Sequence, residues 1–219
     1  MAYSAQERVY GPGHRVVATI LTNLGNAYGD LGDPQIKRDL LAEALRIQER
    51  EYGTEHREVA ITLANLGCAH GDLGDALTKR YLLEKALRIK EREYGLEHRE
   101  VAKTLTSLGN AYGYLGDAQA MRDLLKKALR IQEREYGAEH RQVATTLTNL
   151  GIAYGDLGDA QKKRDLGEVE IYWKRHCASK NVCMGAGDPH HTVFPSIASR
   201  SKMSENTLGI IVKMMRLQL

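Results

Sequence analysis

A pattern that recurs every 42 residues is the strongest constraint on the fold of this 219-residue chain. The motif Leu-Gly-x-Ala-Tyr, or a close variant, recurs with its glycine at Gly25, Gly67, Gly109 and Gly151. Between these motifs, Tyr-Gly-x-Glu-His-Arg recurs with the same period. Fixed periods of about 20 to 50 residues are typical of arrays in which one supersecondary unit is repeated and stacked. The sequence therefore predicts a repeat protein.

Each period contains the pattern of two amphipathic helices. Ala60, Leu63 and Leu66 lie at helical spacing in the first helix, and Leu83 and Ala86 do so in the second. A single pair of such helices leaves apolar surface uncovered, so neighbouring pairs must stack to bury it. The leucines that we expect to be buried between neighbouring pairs are Leu24, Leu66, Leu108 and Leu150.

The residues between the two helices have the properties of a helix stop and a helix start. Gly32 can adopt the left-handed conformation that ends the first helix, Asp33 can cap the second, and Pro34 suits its first turn. A small residue such as Gly67 lets two antiparallel helices approach closely. The sequence therefore predicts an all-α chain of helical hairpins.

The motif Leu24-Gly25-x-x-Tyr28, followed by the small residue Ala44, resembles the tetratricopeptide repeat family. The resemblance covers roughly residues 3–166, and the long period makes the repeats most similar to those of kinesin light chains. It implies an all-α, right-handed superhelical solenoid of antiparallel helix hairpins. The sequence departs from the family at second-helix positions such as Lys37 and Lys79, where the family usually has alanine.

The repeat pattern divides the chain into three segments. Residues 1–13 are predicted to be the remnant of a preceding repeat helix, because residues 6–11 match residues 48–53. Residues 14–166 are predicted to form the array, with three full hairpins and a partial fourth. Residues 167–219 are not repetitive, and two interpretations of this tail stay open: a cap on the last hairpin, or a spurious segment with little order.

The distribution of charge argues against nucleic acid and membranes as partners. Residues 1–166 carry equal numbers of basic and acidic residues, and the net charge of +3 comes from the tail. Because positive and negative charges cancel in residues 1–166, this part of the chain has no positive electrostatic potential that would attract phosphate groups. The sequence has no leader pattern, no apolar stretch long enough to cross a bilayer, and three cysteines without a disulfide spacing. We therefore predict a cytoplasmic protein.

The sequence contains no motif for catalysis or for a cofactor. It has no phosphate-binding glycine loop, nucleophile elbow or His-Glu-x-x-His pair, so we predict no enzyme, no cofactor and no metal site. His176, Cys177, Cys183, His190 and His191 could supply zinc ligands, but their spacing fits no known site. The repeated histidine, represented by His98, could sense pH, but duplication of a structural loop explains its recurrence better.

The resemblance implies that the first helices line a concave groove that binds a peptide. The candidate groove residues are Thr19, Asn23, Asn26, Asp30, Asn65, Asp72, Lys103, Ser107, Asn110, Tyr114, Asn149 and Asp156. An asparagine amide both donates and accepts, so it can bind a peptide backbone whatever the peptide's side chains. Asparagine is a mediocre helix former, which favours a binding role over that of a solvated position on a copied helix.

Aspartates at the ends of the first helices suggest which peptides would bind. Asp30, Asp72 and Asp156 form an acidic row at the C-terminal ends of the first helices, where the negative end of the helix dipole disfavours a carboxylate. Only Lys103 is expected to offset their negative charge. The row predicts a preference for peptides that carry Lys or Arg. With Lys103 as the only inward cation, a clamp for a terminal carboxylate is not expected.

These patterns predict a protein–protein interaction scaffold or adaptor that binds peptide segments of partner proteins in a concave groove. The alternative is that the repeats are the ligand-sensing portion of a larger signalling receptor or NTPase. The sequence specifies neither the partner nor the oligomeric state.

Overall fold

The computed structural model describes residue 11 and residues 13–158, and its regular structure there is entirely helical. Seven helices lie in this part of the chain: α1 (Arg15–Asp30), α2 (Pro34–Tyr52), α3 (Arg57–Asp72), α4 (Ala76–Tyr94), α5 (Arg99–Tyr114), α6 (Ala118–Tyr136) and α7 (Arg141–Asp156). The tail at residues 167–219, with its possible zinc ligands, lies outside the described residues, as does most of the segment 1–13.

The chain divides into two compact units, residues 1–117 and 118–219. In the first unit α1 packs on α2 and α3 packs on α4, and α2 and α4 pack in turn on α3 and α5. In the second unit α6 packs on α7. The predicted all-α class of stacked helices is confirmed.

The predicted stop and start signals between the helices are confirmed in the first hairpin. Gly32 has a φ of 82°. Residues with a side chain rarely adopt this left-handed conformation, whereas glycine adopts it without steric cost. The Asp33 carboxylate accepts a hydrogen bond from the backbone N–H of Ile36 at 3.1 Å, and Pro34 is the first residue of α2. These local interactions fix the end of α1 and the start of α2 within four residues.

The repeated histidine caps the start of a helix. Nδ1 of His98 accepts a hydrogen bond from the backbone N–H of Glu100 at 3.2 Å, and its ring stacks on Tyr94 with centroids 4.8 Å apart. The same 3.2 Å bond recurs at the other copies, His14, His56 and His140. Because the first N–H groups of a helix have no partner within the helix, each histidine satisfies one of them. The histidine therefore has a structural role in every described repeat.

Replacing His98 with alanine should lower the free energy of unfolding by about 0.5–2 kcal/mol, because the N–H of Glu100 loses its acceptor. Replacement with aspartate should restore most of the loss, because a carboxylate also caps and favours the positive end of the helix dipole. Urea denaturation of the three proteins measures the difference. Equal losses in both variants would assign the stabilisation to the stacking on Tyr94 instead.

Leucines of the repeated motif form the core between hairpins, with one exception. Leu66, Leu108 and Leu150 are 6%, 3% and 0% exposed, as predicted. Leu24 is 37% exposed, so the prediction that it is buried is wrong. In the later repeats the second helix of the preceding hairpin covers this position, and no such helix is present before α1 among the described residues.

Each of the helices between residues 15 and 156 is too short or too polar to span a lipid bilayer.

Candidate peptide-binding groove

The first helices of the hairpins form the inner layer of the first unit. Helix α1 contacts α3, and α3 contacts α5, whereas the second helices α2 and α4 do not contact each other. Helices that are closer together lie on the inside of a curved array. The surface shared by α1, α3 and α5 is therefore the candidate groove, and we call it the groove below.

The predicted site residues all keep access to solvent. Seven of them are exposed: Thr19, Asn23, Asp30, Asp72, Lys103, Tyr114 and Asp156. Five are partly exposed: Asn26, Asn65, Ser107, Asn110 and Asn149. Asn149 and Asp156 lie on α7 in the second unit, and the other ten lie on α1, α3 and α5 in the first unit.

Threonines on the first helices use their hydroxyl groups within their own helix. The hydroxyl of Thr19 donates to the carbonyl of Arg15 at 3.2 Å, and that of Thr106 donates to the carbonyl of Ala102 at 3.1 Å. Bonds of this kind to the carbonyl four residues earlier satisfy the hydroxyl donor. Thr19 is therefore a weaker candidate for peptide binding than the sequence suggested.

Asparagines in the groove keep their hydrogen-bonding capacity. Within residues 13–158, the side chains of Asn23, Asn26 and Asn65 make no hydrogen bond to the protein. Each amide carries two donor hydrogens and an acceptor oxygen. These three amides, on two helices that touch each other, can therefore bind polar groups of a ligand without breaking an existing bond.

Asp72 is neutralised by a residue that the sequence did not associate with it. The Nζ atom of Lys37, on α2, lies 3.4 Å from Oδ2 of Asp72. Asp72 is exposed as a whole residue, but its side chain is only 18% exposed and that of Lys37 only 12%. Gly29 makes room for the lysine, since a Cβ there would lie 2.6 Å from Lys37 Cδ. The expectation that only Lys103 opposes the acidic row is therefore wrong. In the sequence, Lys37 stands out only as a departure from the family's alanine.

The equivalent lysine of the second hairpin reaches an aromatic ring. Lys79 Nζ lies 5.4 Å from the ring centroid of Tyr114, which replaces the aspartate in the third repeat and is 74% exposed. Cation–π contacts at exposed sites contribute about 0.5–1 kcal/mol. In the first unit, a second-helix lysine thus links each hairpin to the first helix of the next.

Lys103 is also paired rather than free. Its Nζ lies 2.8 Å from Oε1 of Glu100, whose other oxygen lies 3.7 Å from Nζ of the buried Lys90. Lys90 also donates a hydrogen bond to Thr104 at 3.1 Å. Burial raises the pKa of Glu100, but the hydrogen bond from Lys103 and the charges of both lysines outweigh it and leave that pKa lowered. The groove of the first unit therefore carries paired charges over much of its length.

Replacing Lys90 with glutamine should leave stability at pH 7 unchanged or raise it by about 1 kcal/mol, because a buried ion pair seldom outweighs its own desolvation. Glutamine fits this position in the next repeat, where Gln132 accepts a 2.7 Å hydrogen bond from Thr146. Urea denaturation measures the change. A loss above about 1 kcal/mol would show that the pair with Glu100 outweighs desolvation.

The same variant should also change how stability depends on pH. Burial lowers the pKa of Lys90 below its ordinary value of 10.5, although the charge of Glu100 partly opposes the shift. At pH values between the lowered pKa of Lys90 in the folded chain and its ordinary pKa in the unfolded chain, the unfolded chain binds more protons than the folded chain. The free energy of unfolding of the parent should therefore increase as the pH rises through this range. The glutamine variant should lack this contribution.

No group of His, Cys, Asp and Glu between residues 13 and 158 is arranged to hold a metal ion.

Comparison with known proteins places these features in a family. Residues 17–58 and 59–100 match one sequence profile of the tetratricopeptide repeat, and residues 114–168 match a second. No curated protein matches the chain.

Solved structures share the fold at low sequence identity. A putative kinesin light chain from Podosopora anserina with nearly identical TPR-like repeats is 22% identical, with a TM-score of 0.67 over 81% of this chain and 84% of that one. BtubC (BKLC) from P. vanneervenii is 22% identical, with a TM-score of 0.65 over 84% of this chain and 71% of its own. MamA is 16% identical, with a TM-score of 0.57 over 84% and 85%. These similarities support the solenoid fold and no particular ligand.

The profile matches together cover more than half of the chain, and they include three of the four copies of the motif, those at Leu24, Leu66 and Leu150. The helical hairpins, their stacking and the solved structures agree with them. The chain belongs to the tetratricopeptide repeat family.

Proposed function

We propose that this chain is a protein-interaction scaffold whose groove binds extended peptide segments of partner proteins. Tetratricopeptide repeats generally mediate protein–protein interactions and are typically non-enzymatic. The observation that carries the proposal is the set of available amides at Asn23, Asn26 and Asn65 on two adjacent inner helices.

The chemistry of these amides suits a peptide backbone. Every peptide residue other than proline offers one N–H donor and one carbonyl acceptor, and one amide can bind both. Each hydrogen bond formed in this way adds a net of about 0.5–1.5 kcal/mol. Because Asn23 and Asn65 lie on neighbouring helices, a chain that crosses the groove can bind both.

Charge should contribute less to the choice of partner than the acidic row suggested. In the first unit Asp72 is paired with Lys37, which leaves Asp30 as the aspartate of the row without a lysine. We therefore propose only a weak preference for basic peptides, with an affinity that falls modestly as salt is raised.

The absence of a cofactor and a cytoplasmic location stay predictions, as does the alternative that the repeats sense a ligand within a larger receptor or NTPase. Both functions would use the same groove.

The proposal is tested with peptides selected from a displayed random library against the full chain. The affinity of a selected peptide is measured by fluorescence anisotropy for the parent and for a variant with Asn23→Ala and Asn65→Ala. We expect the double variant to bind roughly ten-fold more weakly or worse, from the loss of two to four hydrogen bonds. Alanine is the better helix former, so the substitutions should not destabilise the helices.

A matched control replaces exposed amides on second helices, Gln35→Ala and Gln119→Ala, and should bind as the parent does. If the groove variant and the control bind selected peptides equally well, or if no peptide can be selected, the groove is not the binding surface.

A further inference from the structure

The outer side of α4 differs from the same side of the other second helices. Leu77 and Tyr81 lie one turn apart there and are 61% and 57% exposed. Their counterparts in the other hairpins are polar and also exposed: Gln35 and Asp39 on α2, and Gln119 and Asp123 on α6. Because these two places face solvent in each described second helix, the exposure of the leucine and the tyrosine does not depend on where the array begins or ends.

The next two turns of the same side carry positive charge. Lys85 follows Tyr81 by four residues and Arg88 follows Lys85 by three, which places them on one side of the helix. Nζ of Lys85 lies 5.7 Å from the ring centroid of Tyr81, and Arg88 is exposed. Neither cation forms an ion pair within the described part of the chain. We call Leu77, Tyr81, Lys85 and Arg88 the α4 outer face.

In the first hairpin, the corresponding side of α2 neutralises its own charges. Oδ1 of Asp39 lies 2.6 Å from Nη2 of Arg38, and Oε1 of Glu43 lies 2.6 Å from Nη2 of Arg46. On α4 a tyrosine and a lysine replace these two carboxylates. The α4 outer face therefore has an unbalanced positive charge that α2 lacks.

The carboxylates nearest to this face along α4 do not neutralise it. Oε1 of Glu84 accepts a hydrogen bond from the hydroxyl of Tyr112 at 2.9 Å and lies 3.8 Å from Nε of Arg80. Glu91 follows Arg88 by three residues but forms no ion pair with it. The positive charge of the face is therefore available to an acidic ligand.

The residue types of the α4 outer face are those of a protein-binding surface. Tyrosine and arginine are enriched in protein–protein interfaces and among the residues that contribute most to binding. The two apolar residues come first along the helix and the two cations follow, over about 16 Å. A partner that fits must therefore place apolar side chains at one end of the contact and carboxylates at the other.

We propose that the α4 outer face is a second interaction surface, separate from the groove, which binds an acidic segment of another protein. Apolar side chains of that segment contact Leu77 and Tyr81, and its Asp or Glu residues pair with Lys85 and Arg88. Beyond residue 158 this chain has more Lys and Arg than Asp and Glu, so its own tail is a poorer match in charge.

The probe is a peptide from a displayed random library, selected on the full chain and counter-selected on a variant with Leu77→Gln and Tyr81→Asp. This variant has the residues of the other hairpins at two exposed positions, so it should fold as the parent does. We expect the selected peptides to contain more Asp and Glu than Lys and Arg. By fluorescence anisotropy they should bind the variant at least roughly ten-fold more weakly.

Substitution of the two cations tests the electrostatic part of the proposal. Lys85→Glu with Arg88→Gln should weaken binding of a selected peptide roughly three- to ten-fold at low salt and remove most of the dependence on salt. The matched control is Lys127→Glu with Arg130→Gln, at the same places on α6, which should bind as the parent does. Equal weakening by both variants would show that net charge governs binding, and the proposal would be wrong.

Transfer of the face to another helix is a test by gain of binding. Gln35→Leu, Asp39→Tyr and Glu43→Lys give α2 three residues of the α4 outer face. The fourth is already present, since Arg46 occupies the place of Arg88. Isothermal titration calorimetry should then measure two bound peptides per chain in place of one, and an unchanged stoichiometry would contradict the proposal.

Other outcomes would also overturn the proposal. They are a selection that yields no binder, selected peptides without an excess of acidic residues, and equal affinity for the parent and the counter-selection variant. Weaker binding to the variant with Asn23→Ala and Asn65→Ala would place the peptide in the groove instead. Tighter binding after Glu168→Gln and Glu170→Gln would show that this chain's own tail competes for the face.

Discussion

Replacing Leu66 with alanine should lower the free energy of unfolding by about 2–5 kcal/mol. Leu66 is 6% exposed and packs in one cluster with Leu41 and Leu63, so the shortened side chain leaves a cavity between the first and second hairpins. In a stacked array each hairpin is stabilised chiefly by its neighbours, so damage to one contact weakens both hairpins that share it. Urea denaturation followed by circular dichroism measures the loss.

Leu24 provides a matched control for this substitution. It has the same place in the repeat but is 37% exposed, so Leu24→Ala should cost less than about 1 kcal/mol. Equal losses at the two positions, or a loss below about half a kcal/mol for Leu66→Ala, would contradict the packing between hairpins described above.

Replacing Gly67 with leucine should be comparably damaging, at about 1–3 kcal/mol or more. A Cβ at Gly67 would already lie 3.3 Å from both the Lys79 carbonyl oxygen and Leu83 Cγ, and the carbonyl belongs to backbone that cannot move without shifting α4. The rest of a leucine side chain would force α3 and α4 apart. Thermal and urea denaturation would show the loss.

The control for this substitution is Ala42→Leu, at an exposed position on α2. It adds bulk on the solvent side of a helix and should change stability by less than about 1 kcal/mol. If Gly67→Leu unfolds at the same urea concentration as Ala42→Leu, glycine is not required for the close approach of the helices.

The parts of the fold that were predictable from the sequence depend on interactions between residues close in the chain. The stop at Gly32 and the cap at Asp33 involve neighbours within four residues, so their chemistry is visible in any single repeat. The 42-residue period then extends that local information along the array. Burial of Leu66 follows from its apolar spacing and from the need of each hairpin to be covered.

Features that depend on the neighbouring hairpin were not predictable in the same way. Lys37 and Asp72 are 35 residues apart, and nothing local to either residue indicates that they meet. Lys90 lies in a charged stretch typical of a solvated helix face, yet it is buried against Thr104. Glutamine occupies the same position in the preceding and following repeats and is buried there too, but that burial is not visible in the sequence.

The exposure of Leu24 also depends on the neighbouring hairpin and was therefore not predictable from the motif. Its sequence surroundings are those of Leu66, so any inference from the motif alone assigns both residues to the core. Burial is decided by the preceding second helix, which for α1 is not among the described residues. Repeat number within the array therefore matters as much as position within the repeat.

A double-mutant cycle between Asn65 and the backbone of a selected peptide tests most directly whether the groove binds partner proteins. Each backbone nitrogen of the peptide is methylated in turn, which removes its N–H donor. Affinities for the parent and for Asn65→Ala are then compared. We expect one methylation to weaken binding to the parent roughly three- to ten-fold and to leave binding to Asn65→Ala unchanged, since the same hydrogen bond is already lost there. If every methylation weakens binding to both proteins equally, Asn65 does not bind the peptide backbone and the proposed mode of recognition is wrong.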